Sequence, residues 1–258
     1  MEYVKYTVEN RVGYIKLNRP EKRNALNYNF VKELKATFKV AEADEKVKVI
    51  VLKAEGDSFC AGADLEYLQS LQKFTFEENL QDSNHLMELF KMVHSLDKIV
   101  VAQVQGHALA GGCGLVSVCD FSFSVSDANY GYTESRIGFV PAIVMVFLLR
   151  KVGEARAKEL LLTGTPITAK HAKDFGLINW IVEADELESS VKEFVQELCV
   201  KNSGMSMQLT KKMINEIQSM PLEEALLFAC RKNAEARNSP DCKKGIEAFL
   251  KKEKIVWE

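Results

Sequence analysis

Two segments of the chain repeat one pattern about fifty residues apart: an apolar run, then a loop of small residues, then helical spacing. The first is Val47-Lys-Val-Ile-Val-Leu52 followed by Gly56-Asp-Ser-Phe-Cys-Ala-Gly-Ala-Asp64. The second is Ile99–Val104 followed by a stretch with four glycines, Gly106, Gly111, Gly112 and Gly114, in nine positions. Short continuous apolar runs of this kind read as buried strands, and glycines after a strand mark backbone that turns tightly or approaches something closely. The repeat predicts two related ββα-like units within one α/β domain rather than two domains.

The flanking segments fill in the outline. Tyr3–Val8 and Val12–Leu17 read as strands joined at Glu9-Asn10-Arg11 in the manner of a hairpin. Phe30, Leu34, Phe38 and Ala41 recur at helical spacing behind Asn27, a suitable N-cap, and Leu86, Leu89, Phe90, Val93 and Leu96 mark a second helix. The C-terminal third reads as helical. Gly164 and Pro166 close one helix, Thr168 opens another, and Pro221 with Glu223 and Glu224 begins a third. At 258 residues the chain can bury one large core.

Charge and cysteine usage exclude several function classes. Lys and Arg total 34 against 36 acids, a net charge of −2, which argues against a polyanion surface as the main partner. Lys211-Lys212, Lys243-Lys244 and Lys251-Lys-Glu-Lys254 are modest basic clusters without interleaved aromatics, so they read as solvated helix faces or contacts to a phosphate-bearing ligand. Six scattered cysteines form no C-x-x-C pair and read as core thiols of a reducing compartment. Neither a presequence nor a membrane-spanning apolar run stands out, so a cytoplasmic protein is the expectation.

What chemistry needs bare backbone in those loops? A P-loop requires a terminal G-K-[ST], which is missing, and the dinucleotide fingerprint fails where Ser117 replaces the third glycine. Two readings remain open on the residues alone. Small side chains allow close helix packing. Alternatively, Cys60-Ala-Gly-Ala-Asp64 and Ala110-Gly-Gly-Cys-Gly114 each place free backbone N–H groups at a strand-to-helix junction, and two such groups aimed at one point make an oxyanion hole. The four histidines and the cysteines show no metal-ligand spacing.

A wider set of motifs bears on the choice. Asn18-Arg-Pro-Glu-Lys-Arg-Asn-Ala-Leu-Asn27, Phe59-Cys-Ala-Gly-Ala-Asp-Leu65, the stretch from Gly106 to Gly114, Cys119-Asp120, Tyr130-Gly-Tyr-Thr-Glu134 and Leu162-Thr-Gly164 resemble, in order, the crotonase superfamily of enoyl-CoA hydratases and isomerases. The resemblance implies a crotonase-type spiral of ββα units, with a core and CoA site in residues 1–200 and a C-terminal helical region, 201–258, for oligomer contacts. It implies an acyl-CoA thioester as substrate and no separate cofactor or metal. The thioester oxygen would lie between the N–H groups of Ala63 and Gly111. Further substrate contacts are implied at Ala25, Ala61, Asp64, Leu65 and Gly114, with Phe249 reaching towards the nucleotide from a homotrimer or homohexamer interface around Leu222, Leu226, Leu227, Phe228, Ile246 and Leu250.

Two-carboxylate hydratases of that family carry one glutamate at the position of Gly114 and another at that of Glu134. Only the second is present here, which makes Glu134 the expected acid and base. The combination of Gly111-Gly-Cys-Gly114, Tyr132-Thr-Glu-Ser-Arg-Ile-Gly-Phe139 and the following Val140-Pro-Ala-Ile-Val144 resembles methylglutaconyl-CoA hydratases, and Gly114 is expected to leave room for a branched, acidic acyl chain. A single carboxylate also suits a Δ3,Δ2-enoyl-CoA isomerase. A protein that binds RNA or CoA esters without turnover is the alternative outside the enzymes. Asp64 is expected to cap a helix, Arg136 to form a structural ion pair ahead of the alternative of meeting a carboxylate on the acyl group, His107 to hold a loop, and Cys113 and Cys119 to pack in the core.

Overall fold

The computed structural model describes residues 2–257. Its first strands, β1 (Val4–Glu9) and β2 (Val12–Leu17), pair antiparallel across the expected turn, where Asn10 and Arg11 both take positive φ. Helix α1 (Tyr28–Ala43) starts at Asn27, whose side chain accepts the Phe30 N–H, and its apolar stripe of Phe30, Leu34, Phe38 and Ala41 is fully buried. Capping and periodicity therefore act together to set where this helix begins and which face it buries.

The repeated unit then runs three times, not two. The first pass is β3 (Val49–Ala54), β4 (Ser58–Cys60), α2 (Leu65–Leu71) and α3 (Phe76–Ser95). The second is β5 (Ile99–Val104), β6 (His107–Leu109) and α4 (Gly111–Val118). The third is β7 (Phe121–Val125), β8 (Asn129–Gly131), a 3-10 turn at Glu134–Ile137, α5 (Ala142–Val152) and α6 (Glu154–Thr163). After these come β9 (Ile167–Thr168), α7 (Ala169–Asp174), which Thr168 caps, and β10 (Trp180–Val182). The segment Gly56–Asp64, expected as loop throughout, thus contains β4. Strand β3 begins two residues later than the apolar run suggests.

Each pass gives its first strand to a six-stranded sheet ordered β1-β2-β3-β5-β7-β10 and its second to a four-stranded sheet ordered β4-β6-β8-β9. In the large sheet, Val49 to Leu52 and every residue of β5 are buried, as a parallel sheet covered on both faces requires. In the small sheet, β4, β6 and β8 run parallel, with Cys60 opposite Ala108 and Leu109 opposite Gly131. Their carboxyl ends therefore meet at one edge.

The C-terminal third divides by burial. Helix α8 (Leu187–Lys201) packs on β2, β3, β5 and β7, and α9 (Gly204–Ile217) packs on β5. Lys211 of α9 is 7% exposed, donating to Asp120 Oδ2 at 2.7 Å and to the Lys98 carbonyl at 2.9 Å. It belongs to the core and not, as its sequence neighbour suggests, to a solvated basic face. Helices α10 (Leu222–Arg237) and α11 (Pro240–Lys251) bury no residue, and Leu222, Leu226, Leu227, Ile246, Phe249 and Leu250 all stand exposed. Among the described residues, no helix is long and apolar enough to cross a membrane.

Candidate active site

Three loops leave the shared edge of the small sheet. The first joins β4 to α2. Leu26 donates its N–H to the Gly62 carbonyl at 2.7 Å and accepts the Asp64 N–H at 2.9 Å. Ala63, between those two bonds, pairs with Leu26 as a bridge, so its own N–H faces the other way. The second loop joins β6 to α4, where Gly111 is the first helical residue and its N–H has no intrahelical partner. Among the described residues, no hydrogen bond uses the N–H of either Ala63 or Gly111.

Close contact between the two loops explains their small residues. A Cβ on Gly62 would lie 2.7 Å from Ala110 Cβ, and one on Gly112 would lie 2.2 Å from the Cys60 carbonyl oxygen. Ala110 adopts φ 48° and ψ −121°, a conformation that favours glycine and costs a side-chain-bearing residue on the order of 1–3 kcal/mol. Its N–H is held by the Gly131 carbonyl at 2.7 Å. That bond ties the second loop to the third, because Gly131 ends β8 and Glu134 follows three residues later.

Glu134 is half-buried at the start of the 3-10 turn, and its Oε2 is buried without a hydrogen-bond partner among the described residues. Burial raises its carboxyl above the ordinary value, opposed by a bond from its own backbone N–H. A carboxyl so raised is better matched to proton transfer near neutral pH than an exposed one. Arg136 does not pair with it. The guanidinium donates to Thr165 Oγ1 at 2.7 Å, which corrects the expected ion pair.

The remaining candidates separate into neighbours and outliers. The Ala25 carbonyl accepts from Arg19, and the Ala61 N–H donates to the Arg23 carbonyl, so both frame the first loop. Asp64 caps α2 as expected, its Oδ1 accepting from Glu66 N and Tyr67 N. Leu65 projects from the first turn of α2, 80% exposed. The expectation for Gly114 needs correction: a Cβ there would meet Val144 Cγ1 at 2.4 Å and the Phe90 ring at 3.0 Å. Side chains from α3 and α5 already occupy the space that glycine was expected to leave open. Phe249 is an outlier, 81% exposed on a helix that packs on α10.

Other groups hold the frame. His107 Nδ1 accepts the Asn129 N–H at 3.1 Å, joining β6 to β8. Burial pushes the thiols of Cys60, Cys113 and Cys119 up to about 12, so none is a ready nucleophile. Two clefts, of about 410 and 660 Å³, lie elsewhere, the first beside Arg11, Lys48 and Lys98 and the second beside Asp120, Lys211 and Trp257. Neither is lined by Ala63, Gly111 or Glu134. Among the described residues, no group of three or more His, Cys, Asp or Glu is placed to hold a metal ion. The sequence assigns no role at the site to Arg19, Val144 or Phe90. Arg19 was visible inside the Asn18-Arg-Pro20 motif, whereas the other two are identified only by packing.

Known proteins resemble this chain along nearly its whole length. A family model described as enoyl-CoA hydratase/isomerase matches residues 7–258. A Thermus thermophilus protein provisionally named an enoyl-CoA hydratase is 41% identical over 241 residues, covering 93% of this chain and 95% of that one. The short-chain-enoyl-CoA hydratase of Clostridium acetobutylicum is 32% identical, covering 96% and 94%. The crystal structure of an enoyl-CoA hydratase from Mycobacterium smegmatis superposes with a TM-score of 0.93 at 28% identity, covering 99% and 98%.

Proposed function

The chain belongs to the enoyl-CoA hydratase/isomerase family, an enzyme with the crotonase fold, and from that premise we propose that it adds water to an α,β-unsaturated acyl-CoA. In this reading the thioester oxygen lies between the N–H groups of Ala63 and Gly111. Glu134 takes a proton from water as the oxygen of that water adds to Cβ. The electron pair displaced from the double bond passes to the thioester oxygen, giving an enolate that the two amides stabilise. The protonated Glu134 then returns a proton to Cα on the same face. One amide of this kind is worth about 3 to 4 kcal/mol in the transition state.

A single observation carries the proposal: three parallel strands end at one edge, and the loops beyond them carry two unpaired amides and the half-buried Glu134, whose Oε2 has no hydrogen-bond partner among the described residues. The test is hydration of crotonyl-CoA in ¹⁸O-labelled water, with label followed at C3. Glu134→Gln should lower turnover by at least about a hundredfold while leaving CoA-ester affinity intact. Near-normal turnover in that variant removes Glu134 from the mechanism.

A second reading has its own support. Gly114 supplies no second carboxylate and has Val144 and Phe90 packed against it, and a Δ3,Δ2-isomerase needs only one carboxylate to carry a proton between C2 and C4. Rapid isomerisation of a 3-enoyl-CoA with no label entering C3 would establish it. For the acyl group, the name of the C. acetobutylicum relative favours a short chain. The methylglutaconyl alternative now stands on motif resemblance alone, since the expected room is filled, and a direct comparison of 3-methylglutaconyl-CoA with crotonyl-CoA decides between them. We further propose that α10 and α11 join copies of the chain into trimers, which pair as hexamers or stay single, because their exposed apolar faces find no cover within one copy. A monodisperse monomer in sedimentation at micromolar concentration would contradict this.

A further inference from the structure

The bonds that shape the Ala63 loop lead back to one side chain 44 residues upstream. Arg19 is 9% exposed, and its Nη1 lies 2.6 Å from Asp64 Oδ2 and donates to the Ala25 carbonyl at 3.0 Å. The contact to Asp64 is an ion pair whose angle falls short of a well-formed hydrogen bond. The Arg19 backbone N–H donates to Asn24 Oδ1 at 2.8 Å, and the Asn24 amide donates to the carbonyls of Glu55 and Ser58 at 2.8 and 2.9 Å. Arg23 and Asn24 both take positive φ, so the turn they form is held from outside rather than by its own preference.

That turn grips the loop on both sides of Ala63. Ala61 donates to Arg23, Leu26 donates to Gly62, and Asp64 donates to Leu26. Asp64 adds a second grip, its Oδ1 fixing the first turn of α2 while its Oδ2 faces Arg19. Burial alone would raise the Asp64 carboxyl, yet Arg19 and the N–H groups of Tyr67 and Glu66 hold it below the usual carboxylate range. It therefore stays charged beside Arg19; loss of Arg19 leaves Asp64 buried without its ion-pair partner, and loss of Asp64 leaves Arg19 with only the more distant Glu21 carboxylate at 3.9 Å.

Resting on the proposed reading of the two amides, we infer that Arg19 is a positioning residue for the Ala63 N–H, acting through Asp64 and the Ala25 carbonyl without touching substrate. A planar guanidinium reaches two acceptors at once, which a lysine ammonium does not reproduce in fixed geometry. The consequence is a loop whose N–H direction depends on Arg19.

The test reads the carbonyl itself. Butyryl-CoA labelled with ¹³C at the thioester carbon binds without turnover, and isotope-edited infrared difference spectra report polarisation of its carbonyl. Wild type should shift the band to lower wavenumber. Arg19→Gln should lose most of that shift and lower kcat by about a hundredfold, the scale of a misplacement of around an ångström, with butyryl-CoA still bound. Arg19→Lys, which keeps the charge opposite Asp64, should give an intermediate shift. A full wild-type shift in Arg19→Gln overturns the inference even if activity falls, because the loss would then be structural. Should that variant fail to fold, Arg19→Lys decides, and a full shift there overturns the inference equally. Absence of a shift in wild type would instead overturn the two-amide reading, and this inference with it.

Discussion

The two loops that present Ala63 and Gly111 hold equivalent N–H groups by different means. The Ala63 loop is braced by side chains: Arg19, Asn24 and Asp64 reach across 40 or so residues of sequence to hold it. The Gly111 loop is braced by backbone and by the lack of side chains, through the strained Ala110, its bond to Gly131, and glycines pressed against the neighbouring strand. Charge supports the first loop and steric closeness the second. The difference teaches that one donor should respond to charge and pH, whereas the other should respond to volume.

The largest effect should come from adding volume to the second loop. Gly111→Val puts a branched side chain where the proposed function lays the thioester, with Leu26 Cδ1 already 3.2 Å from the new Cβ. Turnover should fall by at least about a thousandfold, the upper scale for loss of one oxyanion donor, while thermal stability changes little. Steady-state kinetics with calorimetry on the same sample check both halves. Near-normal turnover would end the claim that this amide faces the reacting oxygen.

The next effect strikes the first loop through charge. Asp64→Ala removes a helix cap and leaves the buried Arg19 with only the exposed Glu21 carboxylate, 3.9 Å away, so denaturant unfolding should show a loss of up to about 3–5 kcal/mol. The same pair sets a pH limit. Since the folded-state carboxyl sits below its ordinary value of 3.8, its contribution is present above that value and disappears as pH falls through the depressed one. Stability of wild type should therefore decline below about pH 4 more steeply than that of Asp64→Ala. Parallel acid-unfolding curves would show the contrast to be wrong.

The smallest effect belongs to the strained residue. Ala110→Gly relieves a backbone conformation that alanine tolerates poorly, at the cost of a looser unfolded chain, so stability should change by no more than about 1 kcal/mol. Catalysis should persist, because the Gly131 bond still orients the loop. If this variant loses activity as completely as Gly111→Val, strain itself supplies the orientation and the second loop is less passive than the comparison holds.

Much of this architecture is legible in the chain. The period of Phe30, Leu34, Phe38 and Ala41 identifies α1 and its buried face, and Asn27 and Thr168 mark their helix starts by capping chemistry that needs only local residues. Strand β5 shows as an unbroken apolar run for a similar reason, since both faces are covered. Strands β4, β6 and β8 escape detection because three residues display no period, and what makes them strands is pairing with partners dozens of residues away. Glu134 could be named from motif resemblance, but its missing partner at Arg136 could not.

The sequence by itself determined the longer helices and the buried strands of the large sheet, the small residues at both loops and the presence of Glu134 without a second glutamate at Gly114. Those are properties of local backbone preference and residue identity, which a chain carries before it folds. Only the tertiary structure decided which groups meet. It brought Arg19 to Asp64, placed Val144 and Phe90 in the space above Gly114, and buried Lys211 against Asp120. Each outcome depends on how sheets and helices from distant passes stack, and the free energy of such contacts belongs to pairs of surfaces rather than to any stretch of sequence.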